Sequence, residues 1–441
     1  MLQNFDKHIQ QIKKGGIIVI IKKLRFLIFL ILQIPIYLIS IPLIILIRLI
    51  RPWFLIRWAA LLSNRIGHFS VNTELYCCER DAGINLPSQK YLDIFYIKKL
   101  VCNKQLEKMW RRSSLIILPF WLLNPLSNIN RFINIFIPGG NYHRVGNPVE
   151  NICHNSYLDV HNLCEKFQPH IGFTEEEEFE GKRILAEFGV PKGAKFVCLI
   201  ARDSAYLDRH NEFNLRDWSY HKHRDVDIDK YILSAEELAK RGYYIFRMGA
   251  KVNKPLISSN PKIIDYATSG MRTEFMDIYL GAKCDFCLSS GTGFDGIPYI
   301  FRKPVAFTNI VEFGCMISHH KNNLIITKSF INKKNKKKLS IADIFSSNFE
   351  QYLTADKLEL NDIELKENSP EEIRDLVIEM DERLNDNWNE TKEDLLLQEK
   401  FWMIWKENIK QLNLKVPMYG KIKSRFGSKY LRKNQHLLGR D

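Results

Sequence analysis

Residues 284–304 read CDFCLSSGTGFDGIPYIFRKP. Asp285 to Leu288 is short, apolar and bounded by turn residues, which predicts a buried strand. Ser289, Ser290, Gly291, Thr292 and Gly293 follow as a loop of small residues, and Phe294 to Phe301 reads as a short helix. Arg302-Lys303-Pro304 then turns the chain into a second apolar run, Val305 to Phe307. A strand, a Gly/Ser loop and a helix start form an anion-binding device, because free backbone N–H groups and the helix dipole both face the loop. An ordinary βα turn has the same composition, so this stretch alone leaves both readings open.

Working outward, the same alternation recurs. Lys195 to Ile200 is an apolar strand ending at Ala201-Arg202-Asp203, and Tyr243 to Met248 is another, closed by Gly249. Ser234 to Arg241 and Phe275 to Gly281 read as the intervening helices. Thr174 followed by Glu175, Glu176, Glu177 and Glu178 is a capping-box start, which gives the acidic run a structural reason. Strands alternating with helices predict a parallel sheet with ligands at the carboxyl ends of its strands. Three such ends carry charge or glycine: Arg202-Asp203, Arg247-Met248-Gly249, and Ser289 to Gly293. Between them DWSYHKHRDVDIDKY, 217–231, is too polar for a core, and its Arg224 can pair a phosphate in bidentate fashion. Asp225-Val226-Asp227 has the form of a metal-binding DxD, but it follows basic and aromatic residues instead of a strand, so no metal is expected.

The N-terminal part is different. The 22 residues from Phe26 to Ile47 include no charge, enough to cross a hydrocarbon core of ~30 Å. Lys22, Lys23 and Arg25 precede the run and Arg48, Arg51 and Arg57 follow it, so the flanks fix no orientation. A monotopic hairpin, kinked at Pro35 and Pro42, is expected ahead of a single-pass span, on the cytoplasmic face of an inner membrane. Beyond it Phe54 to Ser63 predicts a first strand that delivers Gly67-His68 into a helix. A histidine at such a strand end can act as a base. Asp159 to Phe167 also reads as helical.

The 441 residues carry a formal net charge of +14, which points to an anionic partner. Lys333, Lys334 and Lys336 to Lys338 read as a solvated loop, and the basic tail from Lys421 to Arg440 is expected to touch acidic lipid. These basic residues do not alternate with aromatics on one face, so nucleic acid is not an expected partner. The nine cysteines show no framework and no zinc spacing, which fits a reducing compartment. Pro370 to Leu384 and Leu395 to Leu412 read as amphipathic helices.

Four stretches carry a resemblance: SNRIGHF at 63–69, FVCLIARDSAYL at 196–207, YHKHRDVDIDKYILSAEELAKRGYYIFRMGA at 220–250, and IIDYATSGMRTEFMDIYLGAKCDFCLSSGTGFDGIPYIFRKPV at 263–305. Over about residues 50–320 the chain resembles a bacterial glycosyltransferase family of GT-B type, found mostly in surface-polysaccharide gene clusters. The resemblance implies an α/β protein with two Rossmann-like domains facing a cleft, after an N-terminal membrane helix or hairpin. The divisions expected are an anchor at 1–50, an acceptor domain at 51–170, a nucleotide-sugar domain at 171–330, and a basic insert, helices and tail at 331–441. It implies that Ser289, Ser290, Gly291, Thr292 and Gly293 hold a donor diphosphate, with Asp295 near the ribose or sugar and Tyr220, Arg224 and Gly249 beside it. Arg202 and Arg247 would offset leaving-group charge without a metal or cofactor, and His68 or Asp203 would be the general base. The partners implied are a nucleotide sugar, a lipid-linked or glycan acceptor, and anionic membrane lipids. A pyruvyl- or phospho-group transferase, or a non-catalytic nucleotide- or glycan-binding membrane protein, would share the arginines and the loop.

Overall fold

The structure, a computed structural model, describes residues 33–146, 158–206, 219–318, 320–349, 353–412 and 419–439, with single positions between 16 and 24. Of the expected anchor, 1–50, most residues before 33 lie outside them, including 26–32 of the apolar run. The chain divides into two units that cut across sequence order: 1–61, 86–100 and 115–152 in one, and 62–85, 101–114 and 153–441 in the other.

The smaller unit begins with α1, Gln33–Ile50, a helix long and apolar enough to cross a membrane. It runs unbroken through Pro35 and Pro42. A parallel sheet follows, in the order β1 (Leu55–Leu61), β2 (Tyr91–Ile97), β3 (Ile116–Leu118). Arg57 and Asp93 are opposite each other in the β1–β2 register and form a bidentate pair, both bonds 2.7 Å. Trp58, Tyr96, Ile44 and Ile47 form the core with Leu123 and Leu126 of a later helix, Phe120–Phe136.

The larger unit holds a seven-stranded sheet whose strands pair in parallel. Its strands are β4 (Phe196–Ile200), β5 (Tyr244–Arg247), β6 (Ile263–Ile264), β7 (Phe286–Ser289), β8 (Val305–Ile310), β9 (Leu324–Thr327) and, after an antiparallel pair at Ser329–Asn332 and Ile363–Lys366, a terminal strand at Arg425–Phe426. Read across, the order is β6-β5-β4-β7-β8-β9 and then the terminal strand. Counting from β4 as strand one, this is 3-2-1-4-5-6, the doubly wound order in which the chain reverses direction across the sheet between strands one and four. Val197 to Leu199 and Cys287 to Leu288 are fully buried, as strands covered on both faces should be.

Local signals hold where they were read. The Thr174–Glu177 capping box is present, and the Glu177 carboxylate also receives Arg112, Lys108 and Gln105. Helices occupy Pro370–Leu384 and Lys392–Gln411. Residues 159–167 are the exception. They form turns, because the Asp159 carboxylate accepts the N–H groups of Leu163 and Cys164, at 2.7 and 2.8 Å, and so competes with a helical ladder. The lysines at 333–338 are exposed. The basic tail is folded into the larger unit: Phe426, Tyr430 and Leu431 are buried, and Arg425, Arg432 and Lys423 pair with Glu390, Asp394 and Glu165. Those cations are therefore committed to protein carboxylates, not held ready for lipid.

Candidate functional site

In a doubly wound sheet the ligand crevice lies outside the carboxyl ends of the two strands where the order reverses. Here those are β4 and β7, joined in register through Ile200 and Ser289. The two strand ends are tied further: Ser290 donates its N–H to the Ile200 carbonyl at 3.2 Å, and its hydroxyl accepts the Arg202 N–H at 2.8 Å. The loop predicted to bind an anion and the Arg202-Asp203 strand end are thus one structure.

The 219–226 segment joins it. Val226 donates its N–H to the Arg202 carbonyl at 3.0 Å, and Arg224 Nη2 donates to the Gly291 carbonyl at 3.1 Å. Arg202 and Arg224 are held by carboxylates only loosely, Arg202 by Asp225 at 3.5 Å and Arg224 by Glu312 at 3.4 Å. Burial and the neighbouring Arg224 charge both push the Arg202 pKa down, and its Nε is buried without a hydrogen-bond partner. His221 is pushed down to about 4 by burial and by the charges of Arg202, Arg224 and Arg65. The neighbourhood is therefore electropositive and incompletely neutralised. Tyr220 belongs to the same turn, but its side chain lies outside the described part of the structure.

Lys328 was not foreseen. It follows β9 directly, is 3 % exposed, and donates to the carbonyls of His223 and Asp225 at 2.9 and 2.8 Å. Burial lowers its pKa to about 8. It anchors the arginine-bearing segment from beneath. No motif marks it, since a lysine after an apolar strand reads as a surface turn.

The loop itself departs from the expected cradle. The Gly291 N–H is taken by the Ser289 hydroxyl, the Thr292 N–H by Asp295 and the Phe294 N–H by the Thr292 hydroxyl. Asp295 also accepts the Ser289 and Thr292 hydroxyls, at 2.5 and 3.1 Å. Burial raises its pKa to about 6. Asp295 and Ser289 are thus internal braces of the loop, with Ser289 fully buried. The short helix Gly296–Ile300 is too brief to contribute a useful dipole. Gly291, at φ +76°, has the backbone conformation that glycine allows most readily. The anion-binding capacity of this edge therefore rests mainly on side-chain cations rather than on a row of free amides.

Arg247 and Asp203 are placed differently from expectation. Arg247 is only 1 % exposed. Its Nη2 donates to the Lys254 carbonyl at 2.9 Å, and its Nη1 lies 3.5 Å from Asp265. This places it under the loop after β5, out of contact with solvent, with Nε and Nη1 lacking a hydrogen-bond partner. Asp203 accepts the Ala205 and Asn253 N–H groups, both at 2.9 Å, which ties the same loop to the β4 end. Gly249, at φ +153°, makes the turn between them.

His68 belongs to the larger unit and lies near the crevice. An alanine Cβ at Gly67 would come within 3.1 Å of the Gly293 Cα and carbonyl oxygen, so the backbone before His68 runs against the loop. His68 Nδ1 lies 3.3 Å from Asn72 Oδ1. Burial, the largest cause, and Arg65 lower its pKa, against the Asn72 hydrogen bond, which raises it. With Nδ1–H donating to Asn72, Nε2 carries the lone pair a general base needs. Glu74, Cys78 and His170 form a second cluster, with ligand atoms within 4.8 Å of one another. Arg302 Nη2 donates to Glu74 there, so a guanidinium occupies the place a metal ion would take.

No protein-family model matches the sequence, and no curated protein matches it. Two solved structures are similar. One is a glycosyl transferase family 9 protein from Veillonella parvula DSM 2008, at 10 % identity and TM-score 0.34, over 57 % of this chain and 79 % of that one. The other is ADP-heptose lps heptosyltransferase II of E. coli, at 11 % identity and TM-score 0.31, over 57 % and 84 %. At these values the likeness assigns neither activity nor substrate.

Proposed function

We propose that the chain is a glycosyltransferase that binds the diphosphate of a nucleotide sugar at the β4–β7 crevice and transfers the sugar to a lipid-linked or glycan acceptor. The observation that carries this reading is the convergence of Arg202 and Arg224 on one strand-end loop at the sheet's switch point, each held only loosely by a carboxylate. Negative charge grows on a departing nucleoside diphosphate, and preorganised cations at that position lower the barrier without a metal. The long resembling stretches at 220–250 and 263–305 support the sugar nucleotide over other phosphates. His68 is the better candidate base, because both Asp203 oxygens already accept backbone N–H groups. Helix α1 supports a membrane location, with the basic flanks on the cytoplasmic side.

A panel of nucleotide sugars screened by thermal shift tests this. Stabilisation by one of them, following RT ln(1 + [L]/Kd), supports transfer. A panel that fails throughout, with stabilisation by a phosphorylated carboxylic acid instead, moves the site to a pyruvyl- or phospho-group transferase.

A further inference from the structure

We infer that the smaller unit carries a second membrane-embedded element, the helix Phe120–Phe136, which lies with α1 in the interfacial region of an anionic bilayer. The sequence run without charge ends at Ile47 and gives no reason to include this helix, which carries four asparagines and an arginine. Its structure does. Its buried residues are Leu123, Leu126 and Asn130 on one side and Pro125, near the N-terminal end, on the other. The opposite side shows Trp121, Phe132, Ile135 and Phe136, the last two each 72 % exposed, and Ile137 follows directly. Phe132, Ile135, Phe136 and Ile137 fall within six residues at the helix's C-terminal end and form a contiguous patch rather than a scatter of single exposed side chains.

The two helices are fixed to each other. α1 packs through a narrow buried stripe of Gln33, Ser40, Ile44 and Ile47, and leaves Leu38, Ile39, Leu43, Leu46 and Leu49 exposed. Tyr37 accepts a hydrogen bond from Asn128 at 3.1 Å. Arg48 donates to the Asn130 side chain and carbonyl and to the Ile137 carbonyl, at 2.8–3.0 Å. These bonds tie Asn130, within the second helix, and the Ile137 carbonyl at its C-terminal end to α1, and they partner the one charge within α1. A bilayer that takes up α1 therefore takes up the exposed face of its partner at a linked depth.

Charge identifies the occupant. Residues 33–61, 86–100 and 115–146 contain eight lysines and arginines and a single acid, Asp93, which Arg57 already pairs. Trp53 and Tyr142 are exposed beside these basic residues, and Arg51 lies 4.3 Å over the Tyr142 ring. Aromatic side chains with amphipathic rings and a surplus of cations around an apolar face are the attributes of an interfacial helix on anionic lipid.

The test uses the full chain bound to vesicles of phosphatidylcholine with phosphatidylglycerol. Cysteine is placed at Phe136→Cys, at Trp121→Cys and, as an exposed control in the larger unit, at Phe179→Cys. Each is reacted with a membrane-impermeant maleimide, the parent chain serving as the blank. Phe136→Cys and Trp121→Cys should react at least about tenfold more slowly than the control, as expected for a face sunk ~5–10 Å into the headgroup boundary. Equal rates overturn the inference. So does protection that disappears when the chain is diluted at constant lipid, because a second copy would then be the cover. As an independent measurement, brominated lipid should quench less of the total tryptophan emission in Trp121→Phe than in the parent, and an unchanged quenched amplitude also overturns it.

Discussion

Replacing Arg224 by alanine separates a ligand-binding arginine from a structural one. In the unliganded chain Arg224 makes one hydrogen bond, 3.1 Å to the Gly291 carbonyl, and one ion pair, 3.4 Å to Glu312. The ion pair is partly exposed and contributes at most about 1 kcal/mol. The hydrogen bond contributes about 1 kcal/mol. Arg224→Ala also relieves the repulsion on Arg202, so the net loss of folding stability should stay below roughly 2 kcal/mol. Against a bound diphosphate the same side chain supplies a charged hydrogen bond worth about 1.5–3 kcal/mol, a roughly ten- to 150-fold weaker Kd when it is lost. Calorimetric titration with a nucleoside diphosphate, beside a denaturant curve, reads both quantities. Arg224→Lys should fall between parent and alanine, since it keeps the charge and loses the planar fork. An unchanged Kd in a folded Arg224→Ala protein would refute the assignment of the crevice.

The remaining predictions use other parts of the larger unit. Arg247→Ala should cost about 1–3 kcal/mol of stability, because it removes the 2.9 Å donor to the Lys254 carbonyl from a buried position, while ligand affinity changes little in whatever fraction stays folded; urea midpoints together with titrations read this. Gly67→Ala places a methyl 3.1 Å from the Gly293 backbone and should cost about 1–3 kcal/mol; an unchanged urea midpoint would show that the two segments do not touch. Lys328 has a folded pKa lowered to about 8 from 10.5, so the folded state binds fewer protons than the unfolded state between those values. Stability should therefore rise with pH from about 8 to 10.5, and Lys328→Met should flatten that part of the stability–pH curve. Diphosphate affinity, read by calorimetric titration, should fall around pH 8, where the folded Lys328 ammonium that anchors the arginine segment loses its charge.

The sequence by itself determined what depends on near neighbours. The strand–loop–helix at 284–304, the capping box at Thr174 and the two C-terminal helices are set by residues within a few positions, and the structure reproduces each of them. Within the described residues the apolar run is a membrane-length helix, Gln33–Ile50, which continues three residues past Ile47. Tertiary structure decided the rest. Strand order places β4 beside β7, and only that adjacency makes Arg202 and the 289–293 loop a single site. Arg202 and Arg247 follow the same pattern in the chain, an arginine at the end of an apolar strand, yet one lines the crevice and the other is a buried strut. The difference is the Asp265 carboxylate and the Lys254 carbonyl, which arrive from the following loop. Spacing also could not say that the amides of the glycine loop are consumed by Ser289, Thr292 and Asp295, because a free and an occupied N–H have the same sequence. Hydrogen-bond competition within a folded loop thus takes up the amides that the sequence leaves open for a ligand.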